Sequence, residues 1–291
     1  MLKQCSIQKV VSIRGIGIHS GQIVDLVLRP ANVNSGIVFH RVDINPTIDI
    51  PACANYVCNT KLATVLQYGD VRVSTVEHLM SALCGLGIDN LHVDINAEEL
   101  PIMDGSSISF VNLLLAAGIV EQNKPKKFIK IIKPIEVFDE CEKYRKYAKL
   151  EPCSEFVINF SIDYNHPAIM DTASNMEINI SKETYIKDIS MARTFGFIED
   201  VNYLRSKGLA LGASLKNVIV LDHNKVVNDE GLRYKDEFLR HKILDAIGDL
   251  YLLGHPLLAR YTASKSGHSL NNKLVRSLLK TKDACEYITF C

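Results

Sequence analysis

STVEHLMSALCGLGIDNLHVDI, residues 74–95, carries the pattern on which the fold turns. Ser74 or Thr75 stands where a helix cap belongs, and Val76, Leu79, Met80 and Leu83 follow at helical spacing. GLGIDN (85–90) ends the helix, and LHVDI (91–95) alternates as a strand. RHKILDAIGDLYLLGHPLLARY (240–261) has the same order: an amphipathic helix with a His in its first half, a Gly turn, then an apolar strand. Two copies of one α+β unit would give this, with the equivalent helices meeting at a shared seam. The two stretches lack residue-level identity, so a pair of unrelated helix–turn–strand units is the competing reading.

Outward from these stretches the chain reads as α+β throughout. QIVDLVLRP (22–30), GIVFHRVDI (36–44) and a segment after Asn59–Thr60 are short strands. PIMDGSS (101–107) is a turn whose serines cap a second helix through FVNLLLAAGIV (110–120). At EQNKPKK (121–127) the composition turns polar and aperiodic, which places a domain boundary there and divides the chain into residues 1–124 and 125–291. Strands FIKIIKPIEVF (128–138), YAKLEP (147–152) and EFVINFSID (155–163) follow, then a helical piece near VNYLRSKG (201–208) and a strand NVIVLD (217–222). A long helix over DEFLRHKILDAIGDLYLLG (236–254), the strand LLARYTA (257–263), the loop SKSGH (264–268) and a closing helix SLNNKLVRSLLK (269–280) complete it.

Composition excludes several classes. The 291 residues are 47% hydrophobic and 23% charged, enough to bury a core without staples. The 33 basic residues cancel the 33 acidic ones, so no whole-molecule field draws the protein to nucleic acid or an acidic membrane. The longest apolar run, Val111 to Val120 broken by Asn112, falls short of the ~20 residues that span a bilayer. MLKQCSIQKVV has no apolar h-region, so a cytoplasmic location is expected. The eight cysteines (5, 53, 58, 84, 141, 153, 285, 291) contain no C-x-x-C pair and read as reduced, apolar side chains. Nothing demands a partner chain, and a monomer is expected.

Histidine carries the chemistry. Neither H-E-x-x-H nor H-x-x-E-H is present, but His241 and Asp245 lie four apart, one turn above the other on the long helix. An imidazole and a carboxylate so placed can bind one metal ion from a rigid element, and Asp249 lies a further turn along. A salt-bridged helix face is the more common reading of such a pair alone. Glu77–His78 offers a third ligand and a base, since neighbours on a helix point about 100° apart. Against that, His78 reads as a core histidine and Glu77 as a first-turn acid favoured by the helix dipole. Two His and one Asp with an open position suit catalytic zinc, and equally non-haem iron. His268 is a possible proton donor, and a helix N-terminus disfavours imidazolium, so it would need a carboxylate partner such as Asp249. Two further readings stay open here: an iron oxygenase on the same ligands, and a binding protein with core histidines.

A series of motifs in order, STVEHLMSAL with GIDN and PIMDGS, SIDYNHPAI (161–169), ARTFGF (192–197), GLRYKDEFLRHKILDAIGDL (231–250) and KSGHSLNNKL (265–274), resembles those of the bacterial UDP-3-O-acyl-N-acetylglucosamine deacetylases. With GIGIHSG (15–21) they cover nearly the whole chain. The resemblance implies a zinc amidase of lipid A synthesis that removes acetate from an acylated UDP-sugar. It also implies two similar α+β domains, each a sheet with two helices, stacked as a β-α-α-β sandwich with the helices inside. Inserts are expected around 45–70 and 195–220, the second forming an acyl-chain passage. By the same resemblance His78, His241 and Asp245 hold the metal, Glu77 is the general base, and His268 is the acid or electrostatic stabiliser, oriented by Asp249. Thr194 donates to the developing oxyanion. Phe195, Lys242, Lys265, Tyr164 (where the family commonly has Phe), His19 and Leu62 contact substrate. KLAT (61–64) departs from members with Met and Cys there, so Lys61 and Ala63 are expected to alter the rim.

Overall fold

The computed structural model describes residues 1–139 and 146–290. Cys141 and Cys291 lie outside the described residues, and the other six cysteines are free thiols.

Its plan is one unit built twice. In the first half, strands β1 (Val11–Ile16), β2 (Ile23–Pro30), β3 (Ile37–Arg41) and β4 (Ile48–Pro51) lead to helix α1 (Glu77–Leu86). Strand β5 (Leu91–Ile95) and helix α2 (Ile108–Ala117) follow. The strand that leaves α1 is inserted between two hairpins, giving the order β1-β2-β5-β3-β4. β5 runs antiparallel to β2 and parallel to β3. The second half repeats this with β6 (Ile135–Asp139), β7 (Lys146–Pro152), β8 (Phe156–Ser161), β9 (Asn175–Asn179), helix α3 (Glu237–Tyr251), β10 (Leu257–Ser264) and helix α4 (His268–Lys280). Here β10 lies antiparallel to β7 and parallel to β8, each flanked by its hairpin partner. The repeat suggested by residues 77–95 and 240–261 is therefore present in the strand pairing.

The sandwich follows from which faces are apolar. In β2, Val24, Leu26 and Leu28 are buried while the residues between them face outward. α2 packs on α1, α4 on α3, and α1 on α3, so the helices form the middle layer. A single hydrophobic cluster runs through both halves. Close approach of α1 and α3 depends on Gly248, because a Cβ there would overlap the Glu77 carbonyl oxygen.

Several local expectations are corrected. Ser74 ends a strand (Val71–Ser74), Thr75 takes the left-handed conformation (φ 58°), and α1 starts after Val76 with no side-chain cap. Their polar groups are used elsewhere: the Ser74 backbone pairs with Glu98 and Leu100, and the Thr75 hydroxyl donates to Glu99. Ser107 precedes α2, but its hydroxyl donates to the His78 carbonyl at 2.8 Å instead of capping. The polar stretch after Val120 is a strand, Ile119–Pro125, paired with Lys3–Ile7. That ribbon has no apolar alternation because most of its side chains stay outside the core. A C-terminal strand, Cys285–Ile288, pairs with Phe128–Ile131 and was not anticipated.

Segments between the repeated elements shape the ends. Strands Val57–Asn59, Val65–Tyr68 and Val71–Ser74 form a small sheet in the first half. In the second, Phe195–Phe197 pairs parallel with Ile219–Leu221 around a helix, Val201–Ser206. Leu211 and Gly212 N–H groups donate to the His19 and Ile18 carbonyls, stitching this segment to the GIGIHSG loop.

Candidate metal centre and active site

α1 and α3 bring three buried donors together. Asp245 Oδ1 lies 3.5 Å from His78 Nε2 and 3.4 Å from His241 Nε2. The two imidazoles meet edge to face, with ring centroids 5.1 Å apart. His241 Nδ1 is 3.0 Å from the Ala192 carbonyl. A carbonyl only accepts, so Nδ1 carries the proton and Nε2 is left as a bare lone pair. Lys242 Nζ donates to Asp245 Oδ2 at 2.6 Å, so only Oδ1 is left for a ligand bond.

The donor set fits a metal ion. Asp245 Oδ1, the oxygen nearest both imidazoles, is buried without a hydrogen-bond partner, and such an atom is costly unless something meets it. Ligands ~2.0–2.1 Å from a tetrahedral ion stand about 3.3–3.4 Å apart, close to the separations measured here. The three residues are the cluster able to share a cation among the described residues. Burial holds His241 neutral, with its pKa pushed down to about 3, as a ligand must be. Burial also opposes charge on Asp245, but His241, Lys242 and His78 keep its carboxyl well below the ordinary carboxylate range.

Beside this trio lies a carboxylate–imidazole pair. Glu77 Oε1 and His268 Nε2 are 3.8 Å apart. Burial raises the Glu77 pKa, tempered by His268 and His78. Burial opposes charge on His268 too, yet Asp249 and Glu77 together lift its pKa to about 9. Asp249 Oδ2 is 2.8 Å from His268 Nδ1 and accepts from Asn271 Nδ2 at 2.8 Å. The acid-favouring carboxylates thus outweigh the dipole of α4, whose first residue is His268.

A cavity of about 530 Å³ opens over the trio. Glu77, His78, His241, Asp245, His268, Thr194, Phe195, Tyr164, Lys242, His19 and Leu62 all line it. Tyr164 packs edge-on against Phe195, 5.5 Å between centroids. Val201, Leu204, Ala210, Leu215, Val218 and Val220 make its far end apolar. Lys265 lines a neighbouring cavity of about 470 Å³ together with Lys146, Lys242 and Lys273, and is ion-paired with Asp163. Asp249 lies behind His268, outside the cavity lining. Lys61 is exposed and Ala63 is buried, and of the three residues 61–63 it is Leu62 that lines the cavities.

Sequence reasoning missed the supporting residues. Thr64, Asn271, the Ala192 carbonyl and the Arg193–Glu237 ion pair all hold site groups in place. Thr64 lies within KLAT and Asn271 within KSGHSLNNKL, but hydroxyl and amide partners leave no periodic signal. Glu99 accepts from the His19 and Ser20 N–H groups at 2.8 Å each, fixing the GIGIHSG loop.

Three buried groups able to share a cation, beside a facing carboxylate and imidazole at the foot of an apolar cavity, are the kind of set metal-dependent amidohydrolases use. Residues 4–280 match the family model described as LpxC, UDP-3-O-acyl N-acetylglycosamine deacetylase. The chain belongs to this family, whose members are deacetylases of lipid A biosynthesis. The oxygenase and binding-protein readings fall with that assignment. Among the described residues no helix is long and apolar enough to cross a membrane.

Proposed function

We propose that this protein hydrolyses the acetamide of UDP-3-O-acyl-N-acetylglucosamine to the free amine and acetate, acting as a monomer in the cytoplasm. His78, His241 and Asp245 would hold the ion, zinc being the better match to two imidazoles and a carboxylate at these separations; iron(II) is the second choice on the same donors. Bound there, the ion supplies Lewis acidity to the acetyl carbonyl and to water.

The chain's own residues do the rest. Glu77, made more basic by burial, accepts a proton at Oε1 from the attacking water. His268 stays imidazolium at neutral pH and places positive charge where the tetrahedral oxyanion develops, with the Thr194 hydroxyl as a further donor. The departing amine takes its proton from one member of the Glu77–His268 pair, which face each other across 3.8 Å. Tyr164 and Phe195 offer aromatic faces to the nucleotide and sugar, Lys242 and Lys265 offer charge to the diphosphate, and His19 and Leu62 border the acyl entrance. A domain boundary at 124/125 assigns Glu77 and His78 to one domain and the remaining reacting groups to the other.

The observation that carries this reading is the facing of Glu77 and His268 beside three buried groups able to share a cation, with Asp245 Oδ1 left unpartnered among them. Acetate release from the acylated UDP-sugar tests it. Turnover that stops with a chelator and returns with zinc is expected; no acetate from metal-replete protein would overturn it.

A further inference from the structure

Glu77 and Asp249 sit on helices from different halves, yet one loop residue holds both. The Thr64 N–H donates to Glu77 Oε2 at 3.0 Å, and its hydroxyl donates to Asp249 Oδ1 at 2.6 Å. All three residues are buried. We propose that Thr64 is a positioning residue that locks the base and the Asp249–His268 pair into one unit, an assignment that rests on the deacetylase reading.

Asp249 explains why the hydroxyl matters. Its other oxygen is held by His268 Nδ1 and Asn271 Nδ2, both at 2.8 Å. The Asn271 amide cannot turn over, because its Oδ1 accepts from the Tyr261 and Ser266 hydroxyls at 2.6 Å each. Three donors from two segments, the Thr64 loop and helix α4, therefore fix the plane of one carboxylate. Removing the Thr64 hydroxyl leaves Oδ1 buried and unpaired, a strong drive for the carboxylate to rotate. Rotation takes His268 with it, and His268 Nε2 shifts relative to Glu77 Oε1. The backbone bond to Glu77 survives any side-chain change, so the hydroxyl can be removed by itself.

Thr64→Val keeps the shape and the N–H, and Thr64→Ser keeps the hydroxyl. With metal content and KM near wild type, Thr64→Val should lose about tenfold in kcat, and Thr64→Ser should stay within about threefold. Within an Asp249→Ala background Thr64→Val should add almost nothing, since it acts through that carboxylate. Wild-type kcat in Thr64→Val, or losses that simply multiply, overturns the proposal. Absence of acetate release from the wild type would instead strike the deacetylase reading. The low-field NMR signal of the His268 Nδ1 proton, read without substrate, should then still move in Thr64→Val and hold in Thr64→Ser. An unmoved signal also overturns the role, and Thr64→Ser gives both readings should Thr64→Val not fold: a tenfold loss in Thr64→Ser counts against it.

Discussion

Gly248 lies directly under the Glu77 carbonyl, and no side chain fits between them. This contact sets how closely α1 and α3 cross, and so whether His78 meets His241 and Asp245. Gly248→Ala should be destabilising by about 1–3 kcal/mol through overpacking. Helix propensity by itself would predict the opposite sign, about 1 kcal/mol of stabilisation. Thermal denaturation decides between the two, and metal stoichiometry should fall in parallel; a stabilised variant with full metal would refute the close-crossing account.

Glu77→Ala and His268→Ala should each lower kcat by ~10²–10⁴ while the metal remains bound. Steady-state acetate release with metal analysis on the same samples checks this. Near-normal turnover by either variant removes that residue from the proton chemistry.

The rate should follow a bell in pH, and its basic limb should vanish in His268→Ala. His268 is raised to about 9 in the fold, against an ordinary value near ~6.5. A raised folded pKa gives stability that is complete below about pH 6.5 and lost as pH climbs through about 9. Urea midpoints across that window should therefore fall in the wild type and stay flatter in Asp249→Asn. Parallel curves would show that Asp249 does not sustain the imidazolium.

His78→Ala, His241→Ala and Asp245→Asn should each abolish stoichiometric metal, because every one removes a third of the protein donor set. Elemental analysis of protein purified without a His tag reads this directly. Full metal content in any of them places the ion elsewhere.

Arg193 and Glu237 form a buried pair that ties the strap carrying Ala192 and Thr194 to the start of α3. Losing Glu237 leaves the buried Arg193 guanidinium with only Glu230 and the Gly231 carbonyl, so Glu237→Ala should cost up to about 3–5 kcal/mol. The Ala192 carbonyl would loosen from His241 at the same time, weakening metal retention. Denaturant unfolding and a chelator competition test the two effects; a variant as stable as wild type contradicts the first.

The α+β class, the four long helices with the strands that follow the first and third of them, and the stacking of His241, Asp245 and Asp249 along one helix were readable from sequence, because periodicity is a local property of the chain. Family motifs extended that reading to His78, Glu77 and His268. Tertiary structure alone decided the equivalence of the two sheets, which resides in strand pairing and not in residue identity. It also decided the fate of Ser74, Thr75 and Ser107, whose cap-like positions were overridden by strand pairing, Glu99 and the His78 carbonyl. Thr64 and Asn271 reach Asp249 across 185 and 22 residues of chain, and hydrogen bonds at such separations leave no spacing to read. Local order is written in side-chain pattern, whereas a site assembled from both halves exists only once the apolar faces of α1 and α3 have been driven together.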